Sequence, residues 1–162
     1  MYVGFPDPRL KLKAALRPVD ADLIAIGEQL RGAAAAADAY GLAGHHIGAI
    51  DPVIVVSLSA PEAVRDYRVF YNPVVVDSAE ALDAGPEGSV AMPGVSIDVM
   101  RPRWAVVGFD DESGMAQTVR LEGWAARVAL HEIDQMNGVF FLYHLSRMKR
   151  DMVIRRYQKI KA

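Results

Sequence analysis

Ala129-Leu130-His131-Glu132-Ile133-Asp134-Gln135-Met136-Asn137-Gly138 sets a histidine and a glutamate inside an apolar stretch, with a glutamine four residues after the histidine. Side chains at i and i+4 of a helix share a face, so His131 and residue 135 can reach one ion while Glu132 stands beside it as a general base. A histidine at 135 would complete the pair. The amide oxygen of Gln135 is neutral, hard and weakly basic, which leaves half a metal site. Taken alone, His131 reads first as a satisfied core residue.

Working outward, Trp124, Val128, Ile133 and Met136 keep roughly helical spacing, and Asn137-Gly138 is a C-terminal stop. A second helix is predicted near Asp20–Ala39, capped by Asp20 or Asp22, with Ala33–Ala37 as helix-forming filler. Pro52–Leu58 and Arg68–Val76 read as strands. Arg103–Phe109 and Met115–Leu121 read as a hairpin across Asp110-Asp111-Glu112-Ser113-Gly114. The stretch 146–161 reads as an amphipathic helix with Met148, Met152 and Tyr157 on one face and Arg and Lys over the rest. Strands followed by helices predict an α+β fold with the 122–137 helix laid against sheet.

Composition agrees with one unit spanning 1–162. Hydrophobic residues make up 52% and charged residues 23%, enough apolar side chain for a domain of this length to bury a core. A formal net charge of -2 gives no basic field, so nothing points directly to nucleic acid. With no cysteine there is no disulfide and no thiolate ligand or nucleophile. Neither a signal peptide nor an apolar run long enough to span a membrane is seen, and a cytoplasmic location is the expectation.

Two further segments change the reading of His131. Gly41-Leu42-Ala43-Gly44-His45-His46-Ile47-Gly48 follows the alanine-rich helix, and Glu87-Gly88-Ser89-Val90-Ala91-Met92-Pro93-Gly94 follows a Gly-Pro break. With His131-Glu132-Ile133-Asp134-Gln135 they resemble, in order and spacing, the signature motifs of the peptide deformylases: G-L-A-A-x-Q-I-G, E-G-C-L-S and H-E-x-D-H. Asp7-Pro8-Arg9-Leu10 and the tail Asn137-Gly138-Val139-Phe140-Phe141, then His144-Leu145-Ser146, look like the same family, so the resemblance covers almost the whole chain. It implies a deformylase-like α+β fold, with antiparallel sheets packed around the motif-bearing helix and a C-terminal helix closing the chain.

The resemblance also implies a site and its damage. In that family the second-motif cysteine and both third-motif histidines bind Fe²⁺ or Zn²⁺. The glutamate moves protons, and the first-motif glutamine with the backbone N–H after the cysteine stabilises the oxyanion. Here the ligand positions hold Ser89, His131 and Gln135, the base is Glu132, and the oxyanion positions are His46 and the Val90 N–H. A serine hydroxyl is far harder to ionise than a thiol, so the expected cofactor is none, or a weakly held divalent ion of Fe, Zn or Ni. One rescue is that His46 joins His131 as a ligand, with Glu87, Glu132 or water completing the shell. Glu87 reads first as scaffold, since the family pairs that carboxylate with an arginine and Arg101 falls at the matching distance.

The family's substrate is an N-formylmethionyl peptide whose methionine enters an apolar pocket while its backbone adds a strand. Gly41, Leu42, Gly44, Ile47, Val90 and Val128 are the expected substrate-binding residues, with Leu130 as a further wall. Gly41 and Gly48 would permit turns, Tyr40-Gly41 would also serve as a helix stop, and Gly44 would allow close approach of another segment or a ligand. Three functions stay open: a deformylase with an altered metal set, a non-catalytic binder of N-terminal peptides near the ribosome, and a metal-free amide hydrolase using Glu132 and His131. Ribosome contact through the C-terminal helix is implied by the resemblance alone.

Overall fold

The computed structural model describes residues 1–162. Its helices are α1 (Ala21–Ala36), α2 (Gly123–Met136) and α3 (Arg147–Lys161). Its strands are β1 (Gly41–Ala43), β2 (Val53–Ser57), β3 (Tyr67–Ser78), β4 (Leu82–Glu87), β5 (Ile97–Pro102), β6 (Trp104–Asp110) and β7 (Ala116–Glu122). One sheet runs β1-β2-β3-β6-β7 and a second pairs β4 with β5, every ladder being antiparallel.

Strand β2 explains why this is a layered fold. All five of its residues are buried, and successive side chains point to opposite faces. Val53 and Val55 pack with Leu23, Leu30 and Ala34 of α1, while Ile54 and Val56 pack with Ala126, Ala129, Ile133 and Met136 of α2. A helix on each face removes the polar alternation that a half-solvated strand would show, and each such side chain contributes about 1.5–3 kcal/mol. Helix α2 is itself buried from Ala126 through Ile133 on every face, so His131 and Glu132 are held inside the molecule.

The sequence expectation omitted β1, β4 and β5, which together frame the second motif. Strand β4 reads Leu-Asp-Ala-Gly-Pro-Glu, poor in strand formers and containing the Gly-Pro read as a break. Proline is tolerated because the two-stranded sheet leaves β4 an edge. Strand β3 runs on past Pro73 through a register shift between Tyr71 and Val74, with Asn72 at φ 49°. Helix α1 stops at Ala36 with Asp38 left-handed at φ 49°, earlier than a stop at Tyr40-Gly41, and Asp20 supplies its cap through Leu23 N–H.

The buried face of α3 differs from the expected one. Tyr157 packs against Phe5, with half-buried Val153 and Ile154 beside it, while Met148 and Met152 are exposed. Residues 153, 154 and 157 stand at i, i+1 and i+4 and share a stripe, whereas five residues from 152 to 157 turn the helix well off one face.

Asn137-Gly138 ends α2 as expected. Gly138 has φ 81°, and a Cβ there would lie 2.5 Å from the Lys11 carbonyl oxygen. Gly138→Ala is expected to cost about 1–3 kcal/mol from the left-handed backbone alone, with the clash adding to it. A urea midpoint unchanged from the parent would refute this.

Candidate functional site

A cavity of about 430 Å³ opens between β1, the segment after β4 and the first three turns of α2. Gly41, Leu42, His46, Glu87, Ser89, Val90, Val128, His131 and Glu132 all line it, so the three motifs converge. Gly41 serves through close approach: a Cβ would meet Val128 Cγ1 at 2.7 Å and Val55 O at 2.9 Å. Without a side chain there, α2 sits against β1 and brings Glu132 to the strand. Gly48 is the residue that turns, at φ 83°.

Four expected residues lie elsewhere. Gly44 approaches the Ala49 carbonyl, with 2.6 Å left for a Cβ, so its closeness serves the chain's own turn. Ile47 packs against the α1 side of the core, and Leu130 is buried outside the cavity lining. Gln135 is buried, does not line the cavity, and donates from Nε2 to the Leu10 carbonyl at 2.7 Å.

Glu87 organises the floor. Arg101 donates to both its oxygens at 2.9 Å, Arg127 Nη1 donates to Oε2 at 2.8 Å, and His131 Nδ1 donates to Oε1 at 2.8 Å. Four hydrogen bonds fill the lone-pair positions of a carboxylate, which makes Glu87 scaffold and leaves nothing for an ion. Burial alone would raise its pKa, but the bonds from Arg101 and His131 more than offset that and hold it at about 2. Arg101 also donates to Asp134 at 2.6 Å. Arg127 went unrecognised in the sequence, although a charged residue four positions before His131 on an apolar helix is its signal. Besides Glu87, it holds the carbonyls of Asp83, Gly85 and Val99 and so ties α2 to the β4–β5 hairpin.

The hydrogen bonds fix both imidazoles. His131 gives its Nδ1 proton to Glu87, so its Nε2 carries the lone pair when the ring is neutral. Burial lowers the His131 pKa, but the neighbouring Glu132 and Glu87 carboxylates outweigh it and the net shift is upward. The Ala43 backbone N–H donates to His46 Nδ1 at 3.0 Å, so the His46 proton sits on Nε2, which points at Ser89 Oγ 3.4 Å away. Burial, with His131 and His45 nearby, pushes the His46 pKa down to about 3 and keeps it neutral. A neutral Nε2–H is a donor. In that form it does not ligate an ion, which argues against the rescue by His46.

Glu132 is 3% exposed, and burial holds its pKa up at about 7. Its Oε2 has no hydrogen-bond partner, and the 3.8 Å to His46 Nδ1 joins two acceptors. The Val90 backbone N–H donates to no acceptor of the chain. Ser89 Oγ accepts from the Ala91 N–H at 3.1 Å.

These groups do not fit the metal implied by the motifs. No three His, Cys, Asp or Glu side chains converge on one point, Ser89 offers a hydroxyl where a thiolate is required, and Gln135 is committed to Leu10.

Residues 2–151 match the family model described as polypeptide deformylase. A protein described as peptide deformylase from Mesorhizobium japonicum is 34% identical over 156 residues, covering 96% of this chain and 89% of the relative. A protein described as peptide deformylase-like from Brucella melitensis is 35% identical over 163 residues, covering 99% and 96%. The crystal structure of peptide deformylase from Ehrlichia chaffeensis superposes with a TM-score of 0.90 at 28% identity, covering 99% of this chain and 95% of that one. Its complex with actinonin gives 0.88 at 29% identity. The cavity, the three motifs around it and the matched length agree: this chain belongs to the polypeptide deformylase family.

Proposed function

We propose that this chain binds the N-terminal end of a peptide in the cavity and has lost the family's metal-dependent deformylation. The observation that carries the reading is a division within the site. The wall of β1, Val90 and Val128 and the donors His46 Nε2–H and Val90 N–H are kept, while the polar atoms at both altered ligand positions are engaged by the protein itself. A chain that keeps the pocket and loses the activated water retains recognition without the nucleophile.

The test combines elemental mass spectrometry on protein purified anaerobically with calorimetry and turnover on formyl-Met-Ala-Ser. Metal well below one ion per chain is expected, together with measurable binding of N-terminal peptides. Turnover should be lower by on the order of 10³-fold or more than that of a relative carrying the full ligand set. Full metal occupancy with ordinary turnover would overturn the proposal. Turnover that survives chelation would instead assign Glu132, held near 7, as the base of a metal-free hydrolase.

The outer face of α3 supports contact with a polyanion such as the ribosome. It carries Arg147, Lys149, Arg150, Arg155, Arg156, Lys159 and Lys161 against Asp151 alone, in a chain whose net charge is -2. Because Tyr157 is buried in the core, deleting the helix would confound docking with unfolding. Reversing the exposed Arg155 and Arg156 to glutamate is the cleaner variant, expected to abolish salt-sensitive co-sedimentation with ribosomes. Absence of co-sedimentation by the unaltered chain would dismiss the contact.

A further inference from the structure

Two acidic side chains line the cavity, and only one is bonded to guanidinium groups. Glu87 is surrounded by Arg101, Arg127 and His131. Those guanidinium groups are spent there and on Asp134 and the carbonyls of Asp83, Gly85 and Val99. Glu132 has no guanidinium beside it, and His131 is its one cationic neighbour when that ring is protonated. Its Oε2 is buried and bonded to nothing, His46 Nδ1 is already an acceptor, and His131 Nε2 stands 3.9 Å from Oε1, too far to hydrogen-bond. An acidic group desolvated in this way either takes up a proton or draws a cation to it, and the donor set for a metal is missing.

We propose that the cavity selects the free α-ammonium of an unformylated peptide, with Glu132 as its counter-ion, over an N-formyl group; this rests on the peptide-binding reading above. An ammonium brings three donors and a positive charge to a floor that offers acceptors. One donor answers Glu132 Oε2, and, because the ammonium charge favours the neutral His131 ring, a second answers the Nε2 lone pair that the Glu87 bond then leaves free. The carbonyl of the first residue takes the donors opposite, His46 Nε2–H and the Val90 N–H. A formylated terminus is neutral and carries one N–H, so it brings no cation to the carboxylate and leaves Glu132 to its protonated form. Residue types unchanged from the family's base and first ligand thus serve an inverted preference, because the altered positions no longer supply a metal charge.

The test is calorimetry at pH 7, where an α-amino group of ordinary pKa about 7.7–8.0 is mostly protonated. The full chain is titrated with Met-Ala-Ser, formyl-Met-Ala-Ser and the des-amino analogue that keeps the methionine side chain but replaces the amine by hydrogen. Met-Ala-Ser is expected to bind at least about tenfold more tightly than either of the others, a gap of about 1.4 kcal/mol. Glu132→Gln is expected to erase that gap. Formyl-Met-Ala-Ser binding as tightly as the free amine overturns the inference and leaves the peptide-binding reading standing, as does a gap that survives in Glu132→Gln. If none of the three peptides binds, both fall. The ligand series on the unaltered chain decides the matter even if the variant fails to fold.

Discussion

Glu87→Ala is expected to lower the stability of this chain by about 3–5 kcal/mol, a large share of what a domain of this size holds. The substitution leaves Arg101 and Arg127 buried without their shared carboxylate, and it frees His131 Nδ1. The cost arises from the uncompensated charges more than from the pair's own net worth, since forming a buried ion pair barely repays its desolvation. Arg127→Met is the informative contrast. It leaves Glu87 with Arg101 and His131, so the expected loss is about 1–3 kcal/mol, chiefly from the carbonyls of Asp83 and Val99 left unpaired. The same network fixes a pH dependence. Because the folded-state pKa of Glu87 lies near 2, below the ordinary 4.5, its contribution is complete above pH 4.5 and is lost as pH falls toward 2. Urea midpoints of both variants, with the parent followed from pH 7 to 3, check all three statements. A Glu87→Ala loss below about 1 kcal/mol would show that the floor is not electrostatically bound.

Ser89→Cys combined with Gln135→His is expected to convert a chain with little metal into one holding about one divalent ion. Thiolate formation at neutral pH removes the obstacle that a serine hydroxyl poses, and a histidine at 135 shares the helix face of His131. Glu87 already accepts the supporting hydrogen bond from Nδ1, orienting His131 so that its Nε2 can turn to an ion. The change has a cost: the Leu10 carbonyl loses its bond from Gln135, about 1–3 kcal/mol unless the segment relaxes. Metal content by elemental mass spectrometry and turnover of formyl-Met-Ala-Ser give the readouts. Each single variant should gain much less than the double, because two ligands bind far more tightly together than the sum of their separate effects. A double variant that stays folded and takes up no metal would mean that the loop at 89 and helix α2 have moved apart as well as changed their side chains.

Much of the site was legible because its three motifs are short and local. His131 and Glu132 follow from one helical stretch, Gly41 and Leu42 from the turn region after α1, and the pairing of Glu87 with Arg101 from their separation along the family's pattern. The strands β4 and β5 escaped because strand propensity describes side chains on a pleated surface, and Leu82–Glu87 has few of the preferred kinds; its ladder to β5 and the Arg127 clamp hold it. The face of α3 escaped because apolar residues are present on more than one side, and only the seat occupied by Tyr157 decides which side is buried.

By itself the sequence determined which chemical groups are available: no thiolate, one histidine and one glutamate on a central helix, and glycines where chain segments meet. What those groups are doing was decided by tertiary structure. Gln135 is a strap to Leu10, His46 is held as a donor by the Ala43 N–H, and Glu87 is saturated by partners drawn from β5 and α2. The physical reason is that hydrogen-bond roles and charge compensation in a buried site depend on which atoms lie within about 3 Å, and those atoms come from segments far apart along the chain.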